Sequence, residues 1–493
     1  MVLQNNWNLP SPLFINQING LDMTSLPKEK FPTASTIGRT SFSRIAIRIG
    51  IPVLVFLVVI GGTYLVAKGE YLIAAALAVI PLAVLFLEMG MRWNEIYPVM
   101  IIFSALFLKL GFSTGRSSQL VLSLVVATGL SFLWIFQMFL ERRVRFNPPL
   151  VTIPVFLFCF STLFSLVWGI VFRDPLVSIW GSFPFVQIAS TLVIIISVMT
   201  MVLTGNLIKK TSTLALIVIL FIIGGVMGLI RNFTKFQLPI NCAGLYAMWA
   251  VALASSMAFF HHNIPLIVRG LLLVFSALWL YWGFGVNITW LAGWVPLFFV
   301  IVVVGYLRSP KLAIFLLVLL VILVITNYDY LVDTIELENR ISGSTRVSAW
   351  EQNWVITKDH LLFGTGPAGY AVYYMTYFPN RAMATHNNYL DMLSQIGIVG
   401  CIFMFWFFGV ILWKGWKLVL RLRGQRNFME ALAAACLAGT LGGMMMMFFG
   451  DWLFPFAYTQ SIAGFDYSVY NWIFMGVILA MDQMTLPGEK QNA

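Results

Sequence analysis

What most constrains this chain is a succession of apolar blocks about twenty residues long, separated by short polar connections. A helix rises about 1.5 Å per residue, so some 20 apolar residues reach across the roughly 30 Å hydrocarbon layer of a bilayer. Fourteen such blocks can be read, at 48–67, 71–89, 96–113, 118–140, 150–172, 185–204, 212–230, 239–260, 264–282, 288–306, 312–327, 389–413, 428–449 and 464–481. The close pairs around Gly69 and Asn263 set the range at 12–14. Composition agrees, with 60% hydrophobic and only 10% charged residues among 493, and a mean hydropathy of +0.89. A soluble protein carries about a quarter of its residues as charges. The expected fold is an all-α polytopic membrane protein of about 14 (12–14) transmembrane helices.

The net charge of +11 raises the possibility of a nucleic-acid partner. Its distribution points instead to the bias of Lys and Arg toward cytoplasmic loops. With a cytoplasmic N-terminus, the inner segments include "ERRVRFNPP", "NLIKK", "RSPK" and "KGWKLVLRLRGQR" and hold 20 of the 30 Lys and Arg, against 10 outside. Both termini are therefore expected in the cytoplasm, with no nucleic-acid partner. The opening "MVLQNNWNLPSPLFINQING" lacks the basic and apolar regions of a cleaved signal. Residues 1–42 read as a flexible cytoplasmic tail and 43–493 as a single transmembrane domain. Cys159, Cys242, Cys401 and Cys436 show no paired spacing, which speaks against a disulfide framework or a zinc cluster.

This orientation puts the longest connection, 328–388, on the outside. Structureless loops of that length are uncommon unless they are functional. Within it, "SGSTRVSAWEQNWVITKDH" reads as a helix capped by Ser344 or Thr345. Val347, Trp350 and Trp354 form one apolar face by their spacing, and Gly364, Gly366, Pro367 and Gly369 end it in a turn. Such an amphipathic helix is expected on the membrane surface or on the roof of the bundle.

The chemistry-bearing residues gather at this external side. Arg340 and Arg346 open the loop helix; they read either as salt-bridged to Glu336, Glu338 and Glu351 or as a fork for phosphate oxygens beside a helix N-terminus. His386 precedes the span beginning at Tyr389. It reads as an interfacial hydrogen-bonder or as a base, since imidazole takes a proton near neutrality and Asn387 and Asn388 stand ready to orient it. Arg381 reads as a surface-seeking side chain or a further phosphate ligand. Arg231 has Lys235 nearby and no acid in its own loop, which makes it a better anion candidate than Arg173, whose neighbour Asp174 implies a local structural role. Lys109 is expected to reach the surface from within the third span, and Asp451 to cap a helix. His261 and His262 look like a cytoplasmic turn. The sequence carries no Walker motif, no nucleotide-binding glycine pattern and no metal-ligand cluster.

"RVSAWEQNWVITKDHLLFGTGPAGY" followed by "HNNYLDMLSQIGIVG" resembles the O-antigen ligase and polymerase superfamily. Its shared signature is an Arg and a Trp four residues apart, a Leu-Phe-Gly-x-Gly-Pro turn, His-Asn-x-Tyr-Leu and a Gly-x-x-Gly in the following span. Here these are Arg346, Trp350, the turn at 362–367, His386, Asn387, Tyr389, Leu390, Gly397 and Gly400. The match covers about 60 residues, with weaker echoes in "FNPPLVTIPVFLFCFSTLFSLVWG" and "LPINCAGLYAMWAVA". The resemblance implies a bacterial inner-membrane protein whose active face is periplasmic. It further implies a metal-independent, inverting glycosyltransferase without a cofactor, taking a glycan from polyprenyl pyrophosphate to a hydroxyl of a lipid, glycan or protein acceptor. In that scheme Arg346, with Arg231 or Arg381, holds the pyrophosphate, His386 is the base, and Asn387, Trp350 and Tyr389 support them. A pyrophosphate leaves readily, so positioned cations and one base suffice. One departure stands out. Many members open a mid-chain span with Ser-Arg, where this chain has Asn287, Ile288 and Thr289 and no arginine; that contact is either lost or supplied by Arg231. A repeat-unit polymerase of the same superfamily, a transporter or flippase of lipid-linked sugars, and a scaffold are the competing readings.

Overall fold

The computed structural model describes residues 93–113, 119–142, 144, 146, 149–234, 236–288, 290–338, 344–378, 384–459 and 462–486. In chain order the helices are α1 (Tyr97–Phe107), α2 (Leu122–Glu141), α3 (Pro149–Val171), α4 (Phe183–Leu207), α5 (Thr211–Phe233), α6 (Tyr246–Phe260), α7 (Leu266–Tyr281), α8 (Leu291–Arg308) and α9 (Pro310–Thr326). The long loop contributes α10 (Tyr328–Glu338), α11 (Ser344–Asp359) and α12 (Tyr370–Tyr377), and α13 (Asn388–Leu422), α14 (Phe428–Met446) and α15 (Phe465–Thr485) follow. A short antiparallel hairpin, β1 (Gly111–Ser113) and β2 (Gln119–Val121), pairs Phe112 with Leu120.

Nine helices among the described residues are long and apolar enough to cross a membrane, and α1, α6 and α9 are shorter apolar helices. Together they occupy the third to the fourteenth expected blocks. The tail 1–42 and the blocks 48–67 and 71–89 lie outside the described residues. Large apolar side chains on the bundle exterior, such as Phe132, Phe139 and Ile267, are exposed, which fits a multi-pass membrane protein with lipid rather than water around it.

Several boundaries differ from the apolar pattern. The third block stops at Phe107 because the chain turns at Gly111 into the hairpin, so Lys109 is exposed beyond the helix rather than within it. The block expected from 239 becomes helical only at Tyr246, after Pro239 and the left-handed Gly244 (φ 59°). "KGWKLVLR", expected as a loop, is instead the end of α13. Its Lys414 donates to Asp482 Oδ2 at 2.6 Å and Arg421 to Asp482 Oδ1 at 3.1 Å, so charge pairing lets the helix continue past its apolar run.

α15 is the axis of the bundle, packed against α4, α13 and α14 with nearly every side chain buried. Gly205 and Gly476 let its backbone approach that of α4 closely. Polar contacts fix both of its ends: Asp466 accepts from Ser123 and from Asn241 Nδ2 (3.3 Å), and Asp482 takes Lys414 and Arg421.

α13 is broken at Gly397 (φ 68°, ψ −177°). In an intact helix Ile398 N–H would donate to Ser394 O and Val399 N–H to Gln395 O. Here those donors reach Leu361 O (2.8 Å) and Leu362 O (3.3 Å) in the long loop. The two carbonyls in turn accept from the backbone and hydroxyl of Thr365 (2.9 Å each) and from the hydroxyl of Ser165 (2.6 Å). The Gly-x-Gly-Pro turn therefore fills the break it presses into. A Cβ at Gly397 would overlap the Leu362 carbonyl, and one at Gly364 the Gln395 carbonyl.

The buried side of α11 is also tied to this break. Thr357 Oγ1 lies 2.7 Å from Ser394 Oγ, which donates to Asn353 Oδ1 at 2.7 Å. Asn353 and Thr357 are buried, whereas Val347, Trp350 and Trp354, the apolar face expected from spacing, are 52%, 36% and 51% exposed. The polar face turns inward because the broken helix needs hydrogen-bond partners, and the apolar stripe is left for the surface. The capping side chains expected at Ser344 and Thr345 lie outside the described residues.

Replacing Gly397 by Ala is expected to destabilise the protein by at least roughly 1–3 kcal/mol from backbone strain alone. Gly409→Ala, where a Cβ meets nothing within 4 Å, should be neutral or slightly stabilising. Thermal unfolding of the two detergent-solubilised variants checks the ranking.

Candidate active site

The site is built at the joint between the long loop and α13. Asn387 caps the helix, its Oδ1 accepting from Tyr389 N–H (3.0 Å) and Leu390 N–H (3.3 Å). Asn388 is fully buried and clamps the segment after α14: its Oδ1 accepts from Leu453 and Phe454 N–H, both at 3.0 Å, and its Nδ2 donates to Phe454 O at 2.8 Å. Its own N–H donates to Met447 O at 2.8 Å. Tyr389 donates to Met444 O at 2.8 Å and stacks on Phe405, joining α13 to α14.

This clamp holds His386 between two walls. The backbone there is left-handed (φ 48°), a conformation uncommon for a residue other than glycine. On one side the imidazole Nδ1 lies 3.8 Å from Asp451 Oδ1, within ion-pair range and longer than a hydrogen bond. The His386 side chain is 37% exposed and that of Asp451 only 2%. Asp451 Oδ2 accepts from Phe456 N–H at 3.3 Å and from the Thr459 hydroxyl. Asp451 therefore fixes its own loop and faces the imidazole; it caps no helix among the described residues.

On the other side Trp350 Nε1 donates to Thr385 O at 2.7 Å, which ties α11 to the residue before His386. The Thr385 hydroxyl donates to Asp391 Oδ1 (2.5 Å) and accepts from Asn387 N–H (3.2 Å). Tyr370 donates to the same carboxylate oxygen at 2.6 Å. Burial, and then the charge of Asp391, push the Tyr370 phenol well above its ordinary value and keep it a donor. Asp391 is buried and close enough to interact electrostatically with both Asp451 and His386.

Arg346 is half-buried one helical turn before Trp350 on α11, so the two share a side of the helix. The structure thus gathers Arg346, Trp350, His386, Asn387 and Tyr389 at one end of the bundle. The Arg231 loop is at this end as well, since Gly244 packs against Trp452 and Tyr467. The Arg231 guanidinium, however, donates to Ile240 O in its own loop, and no contact among the described residues joins it to His386. Arg173 donates to Gln187 Oε1 at 3.1 Å and lies 5.1 Å over the Phe183 ring, a local role that does not use Asp174. Asn287 and Ile288 are engaged by Trp282 O and Trp294 Nε1. Arg381, Arg340, Lys235 and Thr289 lie outside the described residues.

A cavity of about 840 Å³ opens where the C-terminal end of α11 meets α12 and the segment after α3. Arg173, Asp174, Asp359, His360, Tyr373 and Tyr377 line it. The Tyr377 hydroxyl donates to Asp174 and holds its carboxyl below the usual range. Burial lowers the His360 imidazole, which meets Tyr373 edge-on with ring centroids 4.8 Å apart. Tyrosine faces beside carboxylates suit a ligand rich in hydroxyl groups. Among the described residues no three His, Cys, Asp or Glu come together as metal ligands. The four cysteines carry free thiols.

Asp391, Tyr370 and Thr385 are site residues that spacing does not single out, and Asp451 binds its own loop where a helix cap was expected. The usable signal was Asp391 itself, an acid inside an apolar span, which marks a functional site by default. Compared with protein-family models and with curated proteins, the chain finds no match.

Asn388→Ala is expected to destabilise the protein more than Asn387→Ala. The first strands two buried N–H groups and one carbonyl at roughly 1–3 kcal/mol each, while the second removes a helix cap worth about 1 kcal/mol. Unfolding midpoints of the two variants, compared with wild type, test the order.

Proposed function

We propose that this protein is an O-antigen ligase-like membrane glycosyltransferase, which moves a glycan from a polyprenyl-pyrophosphate donor to an acceptor hydroxyl. The observation that carries the reading is the arrangement at His386: an accessible imidazole with a buried carboxylate beside Nδ1, next to a helix that presents Arg346. In this reading Asp451 orients the ring and leaves Nε2 to take the acceptor proton. The acceptor oxygen then bonds to the anomeric carbon from the face opposite the leaving group, and the carbon–oxygen bond to the pyrophosphate breaks. Inversion follows, the proton rests on His386, and the departing polyprenyl pyrophosphate keeps its bonding electrons. Arg346 meets the charge that grows on it. The cavity of about 840 Å³ with its tyrosines and carboxylates is the seat for sugar rings. Arg231 becomes a donor ligand only if it releases Ile240.

The finer features belong to the same reading: about fourteen transmembrane helices, both termini in the cytoplasm of a bacterium, and the His386 end on the outer face of the inner membrane. The charge bias across the loops supports them. A repeat-unit polymerase uses the same groups and differs in its acceptor.

The break in α13 favours a second reading, transport, because transporters bind ions and substrates at discontinuous helices. In such sites the freed backbone groups face the cargo. Here Thr365, Ser165, Leu361 and Leu362 occupy those groups at both edges of the break, which supports the transferase over the transporter.

In purified protein supplied with a polyprenyl-pyrophosphate glycan and an acceptor, His386→Ala is expected to lower turnover by about 10²–10⁴-fold. Arg346→Ala should slow it as well, and Asp451→Asn should lower kcat with little change in the KM for donor. The readout is transferred glycan on a gel, with membrane insertion of each variant verified. Wild-type transfer by correctly inserted His386→Ala and Arg346→Ala proteins overturns the reading.

A further inference from the structure

At the end of the bundle away from His386, a second charged site is present. α6 runs from the Arg231 loop to Phe260, α8 ends at Arg308, and α13 ends at Leu422 before the turn into α14. Between these ends is a cavity of about 150 Å³, lined by Phe260, Arg308, Arg423, Arg426 and Glu430 among others. That volume takes up a guest about the size of benzene.

Charge in this cavity is unbalanced. Glu430 is buried, and the backbone occupies its carboxylate: Gly424 N–H donates to Oε1 at 2.8 Å and Arg426 N–H to Oε2 at 2.5 Å. Glu430 thus folds the 423–427 turn and holds Arg423 and Arg426 at the cavity wall, with Arg426 in a left-handed conformation (φ 54°). Among the described residues no carboxylate lies within ion-pair distance of Arg308, Arg423 or Arg426. Arg308 instead sits 5.9 Å over the Phe260 ring. Three guanidinium groups against one committed carboxylate leave a surplus of two positive charges around the hollow.

The depth of the site is informative. Tyr306, two residues before Arg308, is exposed, as are Trp413 and Trp416 on α13. Lys417 Nζ lies 3.8 Å over the Trp413 ring. Exposed Trp and Tyr with a neighbouring lysine mark the level of lipid head groups, and Arg308 follows Tyr306 by only about 3 Å of helix.

We propose that this cavity binds a phosphate-bearing anion, gripped by Arg308, Arg423 and Arg426 at head-group depth. Planar guanidinium forks match phosphate oxygens in pairs, and anionic lipids concentrate near such basic surfaces. The source is either the head group of an anionic phospholipid or a soluble phosphate compound; the chemistry recognised is the same. The site is independent of the transferase reading and of events at His386.

The test uses the full chain in neutral detergent, with inorganic pyrophosphate as one probe and mixed vesicles of phosphatidylglycerol and phosphatidylcholine as the other. Pure phosphatidylcholine vesicles are the blank. Tryptophan-fluorescence unfolding is expected to show a rise in Tm with at least one probe. The Arg308→Gln/Arg423→Gln/Arg426→Gln protein should need about tenfold more of that probe, while Lys358→Gln, on α11, behaves as wild type. Should the triple variant fold poorly, Arg423→Gln alone, at an exposed turn position, is expected to weaken the response several-fold. A response to phosphatidylglycerol alone assigns a lipid head group, and one to pyrophosphate as well as or instead of lipid assigns a soluble phosphate. No response to either probe, or an undiminished response in the arginine variants, overturns the site.

Discussion

The exchange of backbone hydrogen bonds at Gly397 is the interaction on which the rest of the structure depends. A helix broken inside an apolar bundle exposes two donors and two acceptors where water cannot satisfy them, at a cost of several kcal/mol for each one left unpaired. The Leu361–Thr365 segment supplies partners to both edges of the break, and Ser165 from α3 completes the set. The long loop is therefore part of the bundle rather than a cover over it. Everything that positions His386 follows: α11 is fixed through Asn353 and Thr357, Trp350 is fixed on α11, and Trp350 holds the carbonyl preceding the imidazole.

The sequence announced the bundle more clearly than its joints. Apolar runs of about twenty residues need no tertiary information to be read, and α1 to α9 and α13 to α15 fall where those runs lie. Errors came where local chemistry overrides hydropathy. Pro239 and Gly244 delay α6, and Asp482, far along the chain, lets Lys414 and Arg421 remain inside α13. The eight residues of α12, "YAVYYMTY", carry no clear 3.6-residue rhythm and were not expected as a helix; Tyr370 stacked on Phe456 and Tyr374 bonded to Gln352 hold it in place.

The candidate site was half legible. His386, Asn387, Trp350 and Arg346 stand in short motifs that can be read as a unit, and Trp350 ties the helix that carries Arg346 to the residue before His386. Asp451 could not be assigned to His386 from sequence because 65 residues separate them and the link runs through the amide of Asn388. The apolar stripe of α11 was legible from spacing, but which face packs against the bundle was not. Spacing shows which residues share a face; it does not show that a broken neighbouring helix will demand the polar one.

The burial of α15 has a consequence for how such a protein is made. It is the last helix among the described residues and the most enclosed of the long ones, with 83% of its apolar window covered. It follows its packing partners in the chain, so Ser123, Asn241, Lys414 and Arg421 are synthesised before the acids they pair with. Among the described helices α15 is the keystone, since α4, α13 and α14 all close upon it.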